Sequence, residues 1–307
     1  MKRIVLLTAL IVTICSALLL AQTPAPQQPA GARGERGAGA QRGGGRGRGG
    51  GAPPRKVLLA WADTRNGISQ HAFTSHALAI VERLGYESGL WDTFIRTDSN
   101  IIANTAFKTD GTPASGGPSL SNVDGIFFLG HREIDMNAKQ KEELLAFVRN
   151  GHGFVAAHTG LTAFESWPEF GEMLGAQYEG HLYTGPAKVI NESPASPIVK
   201  HLGAEFEYND EFYKAKTFSR DKIDVLLRFN PASVTGNNTL AADGDYPLAW
   251  VKRYGQGRVF YGSFSHGTEL WDRRDIQLIY LEAIKWSLGL TDAEPAPHAK
   301  RAGGASQ

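Results

Sequence analysis

Between residues 57 and 290, short apolar runs alternate with longer stretches whose apolar residues recur every three or four positions. The runs 57–62 (VLLAWA), 123–129 (VDGIFFL), 153–157 (GFVAA) and 257–264 (GRVFYGSF) have strand length. A strand that is apolar at nearly every position has both faces buried, as in a parallel sheet covered by helices on two sides. Helical periodicity fills the intervals. Ala77, Leu78, Val81 and Leu84 line one face of a helix over 71–84, closed by Gly85, and 86–91 reads as the second strand. Asn137 and Gln140 form a capping box for a helix that carries Leu144, Leu145 and Val148 and ends at Gly151. A short helical region covers 164–174, and Ile276, Ile279, Tyr280, Ala283 and Ile284 define a final helix over 273–290. The middle, 186–252, is richer in strands, with candidates at 187–190, 206–218, 225–229 and 248–254. The expectation is one α/β domain over 56–290 with a mostly parallel sheet.

The N-terminal part is of another kind. Lys2 and Arg3 precede an apolar run from Ile4 to Ala21, which predicts a secretory signal over 1–21, cut after Ala21. A retained membrane anchor is the alternative. The protein is therefore expected to be exported, periplasmic or secreted. Residues 22–55, rich in Pro, Gly and Arg, have no large apolar side chain and are expected to be a disordered linker. The formal net charge of +1 conceals an asymmetry. Segment 22–56 has seven bases against one acid, whereas 57–307 has 23 bases and 30 acids. Such an arm can touch anionic surfaces, although an exported tether argues against nucleic acid as partner. A Pro/Ala/Gly-rich tail, 291–307, is expected to be disordered.

The sole cysteine, Cys15, lies inside the apolar run. A chain cut after Ala21 has no thiol, hence no cysteine nucleophile and no thiolate metal ligand. Chemistry then falls to His, Asp and Glu. Ligands of open parallel sheets bind at the carboxyl ends of the strands. His131, His158 and His266 follow three of the apolar runs, and His71 opens the helix after the first. AAHTG has the shape of a nucleophile elbow with imidazole in the nucleophile's place, so His158 is open to three roles: general base, sugar partner or metal ligand. The segment 209–213 (NDEFY) puts Asp210 and Glu211 among aromatics, where buried acids need partners. His71, His158, His181, Glu211 and His266 have the chemical types of a zinc or similar divalent site, without a compact motif such as HExxH. The folded region has no glycine-rich phosphate motif, so no nucleotide cofactor is expected.

Four pieces in order, KQKEELLAFVRNGHGFVAAHTG, GAQYEGH, NDEFY and PLAWVKRYGQGRVFYGSFSHG, resemble the ThuA-like (trehalose utilisation) family over about 57–290. That family is a branch of the class I glutamine amidotransferase-like folds. The resemblance implies a flavodoxin-like, three-layer sandwich and a role in sugar metabolism. It implies that His158 stands where amidotransferase relatives have cysteine, which excludes glutamine hydrolysis by a thiol. It also marks His71, His158, His181, Glu211 and His266 as site positions; His131 comes from strand-end reasoning alone.

The resulting assignment makes His158 and Glu211 catalytic, and His71, Asp210, Tyr213 and His131 substrate-binding. His158, His181 and His266 are the metal ligands if a divalent ion such as zinc is bound. The expected substrate is a small carbohydrate, a sugar or oxidised disaccharide, processed by a hydrolase, lyase or isomerase. Two alternatives are a non-catalytic carbohydrate-binding domain and an interaction module tethered by the basic arm.

Overall fold

The computed structural model describes residues 54–65, 71–234 and 240–301. The expected signal and almost all of the linker lie outside the described residues. The first apolar run forms β1 (Lys56–Trp61), followed by α1 (Thr74–Ser88), β2 (Trp91–Arg96), β3 (Gly125–Phe128), α2 (Ala138–Arg149) and β4 (Gly153–Ala157). Next come α3 (Pro168–Leu174), β5 (Gln177–Asn191), β6 (Glu205–Lys216), β7 (Asp224–Phe229), β8 (Pro247–Tyr254), β9 (Gly257–Gly262) and α4 (Arg274–Ser287).

One nine-stranded sheet has the order β2-β1-β3-β4-β9-β8-β7-β5-β6. The pairs from β2 to β9 are parallel, and those from β9 to β6 are antiparallel. The sheet is thus mixed, with parallel pairing confined to one half. The strand-rich middle adds its strands antiparallel, since antiparallel neighbours need only short links and parallel ones need a crossover. β1 shows how the parallel half is buried on both faces. Leu58 and Ala60 pack into a cluster with α1 and α4, whereas Leu59 and Trp61 pack into a second cluster with α2 and α3. All four are fully buried, and the two leucines are worth up to roughly 1.5–3 kcal/mol apiece.

Three boundaries differ from the sequence reading. α1 starts after His71 and continues through Gly85 to Ser88, ending at Gly89 with φ 69°. Gly85 is needed for packing rather than termination: a Cβ there would meet the Trp91 indole at 2.4 Å. The second strand is therefore Trp91–Arg96, not 86–91. β5 spans fifteen residues where only 187–190 was expected. Part of the expected disordered tail is held in place. The Trp286 indole donates to Ala293 O (2.6 Å), Ala296 N donates to Asp224 (2.8 Å), and Arg253 pairs with Glu294. The segment lacks an apolar payload, but its backbone groups find partners on β7 and α4.

β7 pairs with β5 only over Val189–Asn191. The remaining length of β5 pairs with β6 alone, from Gln177↔Lys216 onward. This overlong hairpin lies against the carboxyl edge of the parallel half, where the backbone N–H of Tyr213 donates to Ser263 Oγ after β9 (3.3 Å).

Candidate active site

The histidines after β3, β4 and β9 sit on strained turns. His158 follows β4 at φ 36°, Ser265 precedes His266 at φ 80°, and Arg132 follows His131 at φ 60°. Left-handed backbone at non-glycine residues costs of order 1–3 kcal/mol and persists only where its surroundings hold it. At Ser265 the restraints are explicit. Asp210 accepts from the backbone N–H groups of Ser265 (2.5 Å) and His266 (3.0 Å), and the Trp271 indole donates to Ser265 O (2.9 Å). Burial pushes the Asp210 carboxyl up from its ordinary pKa, with the His158 charge and these backbone donors pulling the other way.

His158 is completely buried. Its Nδ1 lies 3.0 Å from the carbonyl of Ser263, an acceptor only, so Nδ1 donates there and Nε2 is the nitrogen turned to the cage. Its ring stacks on Tyr213, with centroids 4.2 Å apart, and its own carbonyl accepts from Tyr261 (3.1 Å). Nε2 faces His266 Nδ1 at 3.3 Å and Glu211 Oε1 at 3.7 Å. His266 Nδ1 and His181 Nε2 lie 3.2 and 3.3 Å from the same Glu211 oxygen. Glu211 Oε1 is buried yet makes no hydrogen bond among the described residues. Imidazole nitrogens of His158, His181 and His266 surround it. His71 completes the group: a donor atom from each of His71, His158, Glu211 and His266 lies within 4.8 Å of the others.

The electrostatics suit a lone-pair cage. Burial pushes the Glu211 carboxyl up, but the neighbouring imidazoles of His158, His266 and His181 outweigh it and hold the pKa at about 2. Burial, reinforced by His158, His131 and His266 and opposed by Glu211, lowers His71 to about 4. Near neutrality Glu211 is an anion and His71 is a neutral base.

The sequence pattern of the trehalose-utilisation family, ThuA, matches residues 56–287. The chain belongs to the ThuA family. No curated protein sequence matches it. The ThuA fold is also seen in a ThuA-like protein from Bacteroides uniformis ATCC 8492 (TM-score 0.61, 21% identity), with 76% of this chain and 91% of that one covered. A ThuA-like protein from Parabacteroides merdae ATCC 43184 aligns at TM-score 0.58 and 18% identity, over 80% of this chain and 94% of that one. At these identities the likeness concerns the fold.

Within this ThuA domain, His71, His158, Glu211 and His266 come together as one cage. His131 adjoins it, with its ring 4.9 Å from that of His71. His181, read as a ligand, lies on strand β5 at the rim: its side chain is 57% exposed, and its Nδ1 is 3.2 Å from the Tyr178 hydroxyl. His71, read as a substrate contact, lies within the group itself, its donor atom within 4.8 Å of those of His158, Glu211 and His266. Asp210, also read as a substrate contact, commits both carboxylate oxygens to the turn before His266. Tyr213 is 3% exposed and serves as the platform beneath His158. Sequence reasoning missed Ser263, whose carbonyl sets the His158 tautomer. The signal available for it was the SFSH segment that closes the last apolar run.

Proposed function

We propose that this ThuA protein is an exported carbohydrate-processing enzyme and that His71, His158, Glu211 and His266 hold a divalent cation such as zinc. The observation that carries the cation reading is Glu211 Oε1, a buried anionic oxygen ringed by imidazole nitrogens and without a hydrogen bond among the described residues. Donors on a tetrahedral zinc with bonds of about 2.0–2.1 Å lie about 3.3 Å apart. The spacings His158 Nε2 to His266 Nδ1 (3.3 Å) and His266 Nδ1 to Glu211 Oε1 (3.2 Å) match that requirement. The donor set is all nitrogen and carboxylate oxygen, as zinc accepts. The Ser263 carbonyl behind the His158 ring is the kind of partner that metal-ligating histidines need, and Asp210 fixes the backbone that carries His266.

A bound cation supplies Lewis acidity to a sugar oxygen or a water. The side chains do the rest. His158 and Glu211 form the buried floor, where Tyr213 fixes the imidazole plane. His181 at the rim can move a proton between the Glu211 side of the cage and solvent. The trehalose-utilisation family supports a sugar or an oxidised disaccharide as substrate. Export rests on the charged start and apolar run of 1–21, and the basic arm acts as a tether.

Metal analysis of the purified full chain tests the reading. One divalent ion per chain is expected, lost in His158→Ala with the circular-dichroism spectrum retained. A protein that takes up no zinc at micromolar concentration overturns the cation assignment. Full turnover of a sugar panel by His158→Ala and Glu211→Ala would overturn the catalytic one.

A further inference from the structure

The sheet ends on β2 at one side and on β6 at the other, and the two edges are of opposite character. An edge strand presents unpaired N–H and C=O groups, which natural sheets guard with charge, Pro, Lys or a bulge. β6 is guarded. Its exposed positions include Glu207, Asn209 and Lys216, and its pairing with β5 is interrupted by register shifts. β2 (WDTFIR) has no Pro, no Lys and an unbroken register against β1, from Lys56↔Trp91 to Trp61↔Arg96. It exposes two large apolar side chains, Phe94 (41%) and Ile95 (37%).

The outward backbone groups can be assigned. Lys56 N donates to Leu90 O and Ala62 N donates to Arg96 O, so the even-numbered residues of β2 turn their backbone toward β1. Backbone groups alternate sides along a strand, so Trp91, Thr93 and Ile95 turn theirs away from the sheet. Among the described residues no strand pairs with them.

The side chains of β2 are complementary to themselves. Asp92, Phe94 and Arg96 alternate along one face, an acid and a base on either side of an aromatic ring. The Arg96 guanidinium lies over the Phe94 ring, 5.5 Å from its centroid, and its Nη1 donates to Ile95 O (2.7 Å), one of the outward carbonyls. Asp92 Oδ1 accepts from Arg55 (2.9 Å), at a side chain that is 63% exposed. If a second β2 is laid antiparallel with the two-fold axis through Phe94, Thr93 opposes Ile95 of the other copy, and each such pair exchanges both of its N–H···O bonds. Phe94 then meets Phe94 in a pair where side chains approach closely, and Asp92 meets Arg96 on both sides of it. Moving the axis to Thr93 would set Asp92 against Phe94, and moving it to Ile95 would set Asp92 against Asp98. Charge and ring match in the Phe94 register.

We infer that β2 is a self-association edge, on which a second copy of this chain adds its own β2 antiparallel and centred on Phe94. Two nine-stranded sheets thereby join into one, with the same patch used by both copies. Arg96 exchanges its contact with Ile95 O for the Asp92 carboxylate of the other copy, and the freed carbonyl takes an N–H.

Sedimentation velocity of the full chain across the micromolar range tests it. A dimer in reversible exchange with monomer is expected. Asp92→Arg sets like charges against each other on both sides of the axis and should raise the dimer dissociation constant by roughly 100-fold. Adding Arg96→Asp to that variant should restore the dimer, a rescue that a folding defect would not show. Thr93→Pro deletes an outward N–H without touching the ladder to β1, and should give a monomer with an unchanged circular-dichroism spectrum. A chain that stays monomeric throughout the range overturns the inference. So does a dimer that survives Asp92→Arg and Thr93→Pro alike, since it lies on another surface. Failure of the double variant to associate overturns the register. A monomer whose Thr93 and Ile95 amides are protected from hydrogen exchange has a segment of its own chain on the edge, which rejects a second copy there.

Discussion

The two halves of the sheet contribute to the site in different ways. In the parallel half, β3, β4 and β9 deliver histidines from the turns just past their carboxyl ends and His71 stands just before α1, so the strands are scaffold and the loops are chemistry. In the antiparallel half, Glu211, His181 and Tyr213 lie within β5 and β6 themselves. Loop residues can be presented at a parallel edge because every crossover returns the chain to the same side. Strand residues reach the site only because the β5–β6 hairpin extends past β7 and lies over that edge. The cage therefore sits at a seam. Asp210 crosses it, a β6 carboxylate holding the backbone of the β9 turn.

The sharpest test of this division is Glu211→Gln, which alters the hairpin carboxylate proposed to hold the cation and leaves the parallel half untouched. Zinc affinity, measured by competition with a chromophoric chelator, is expected to fall by more than 100-fold, beyond the 10–100-fold typical of outer partners. The folded spectrum should persist. Asp210→Asn comes next. It replaces an acceptor by a donor facing the Ser265 or His266 N–H, and it should cost about 10–100-fold in zinc affinity through misplacement of His266. If affinity is unchanged, the two halves do not cooperate through this carboxylate. Gly153→Ala should have the smallest effect on the cage and act on the parallel half alone. The added Cβ would meet Ser287 O at 2.6 Å, where β4 and the end of α4 touch. Equilibrium denaturation should show a loss of about 1–3 kcal/mol from overpacking, with zinc stoichiometry of the folded protein unchanged.

The halves also differed in how legible they were. β1, β3, β4 and β9 could be read from apolar runs because burial on both faces leaves little room for polar residues. β2 was misplaced for the opposite reason. It is an edge strand, partly exposed at Thr93, Phe94 and Ile95, and Gly85 in the preceding helix resembled a stop signal. Most of β5 was not recognised as strand because it contains Gly180, Gly185 and Pro186 and is half exposed. Its register shifts between Tyr178 and Gly180 and between His181 and Tyr183, and such bulges commonly re-aim side chains beside a site. His181 was consequently recognised as a residue of interest, but its place at the rim was not.

By itself, the sequence determined the chemical vocabulary: no thiol within the domain, histidines after apolar runs, and acids set among aromatics. Local periodicity and residue type suffice for that, because burial on two faces constrains each strand separately. Tertiary structure decided membership. It brought His71 into the cage with His181 at its rim, set Asp210 to hold a turn, and left Glu211 Oε1 buried without a hydrogen bond among the described residues. Those outcomes depend on where a hairpin with shifted register meets strand ends more than fifty residues later in the chain, a relation that no local pattern encodes.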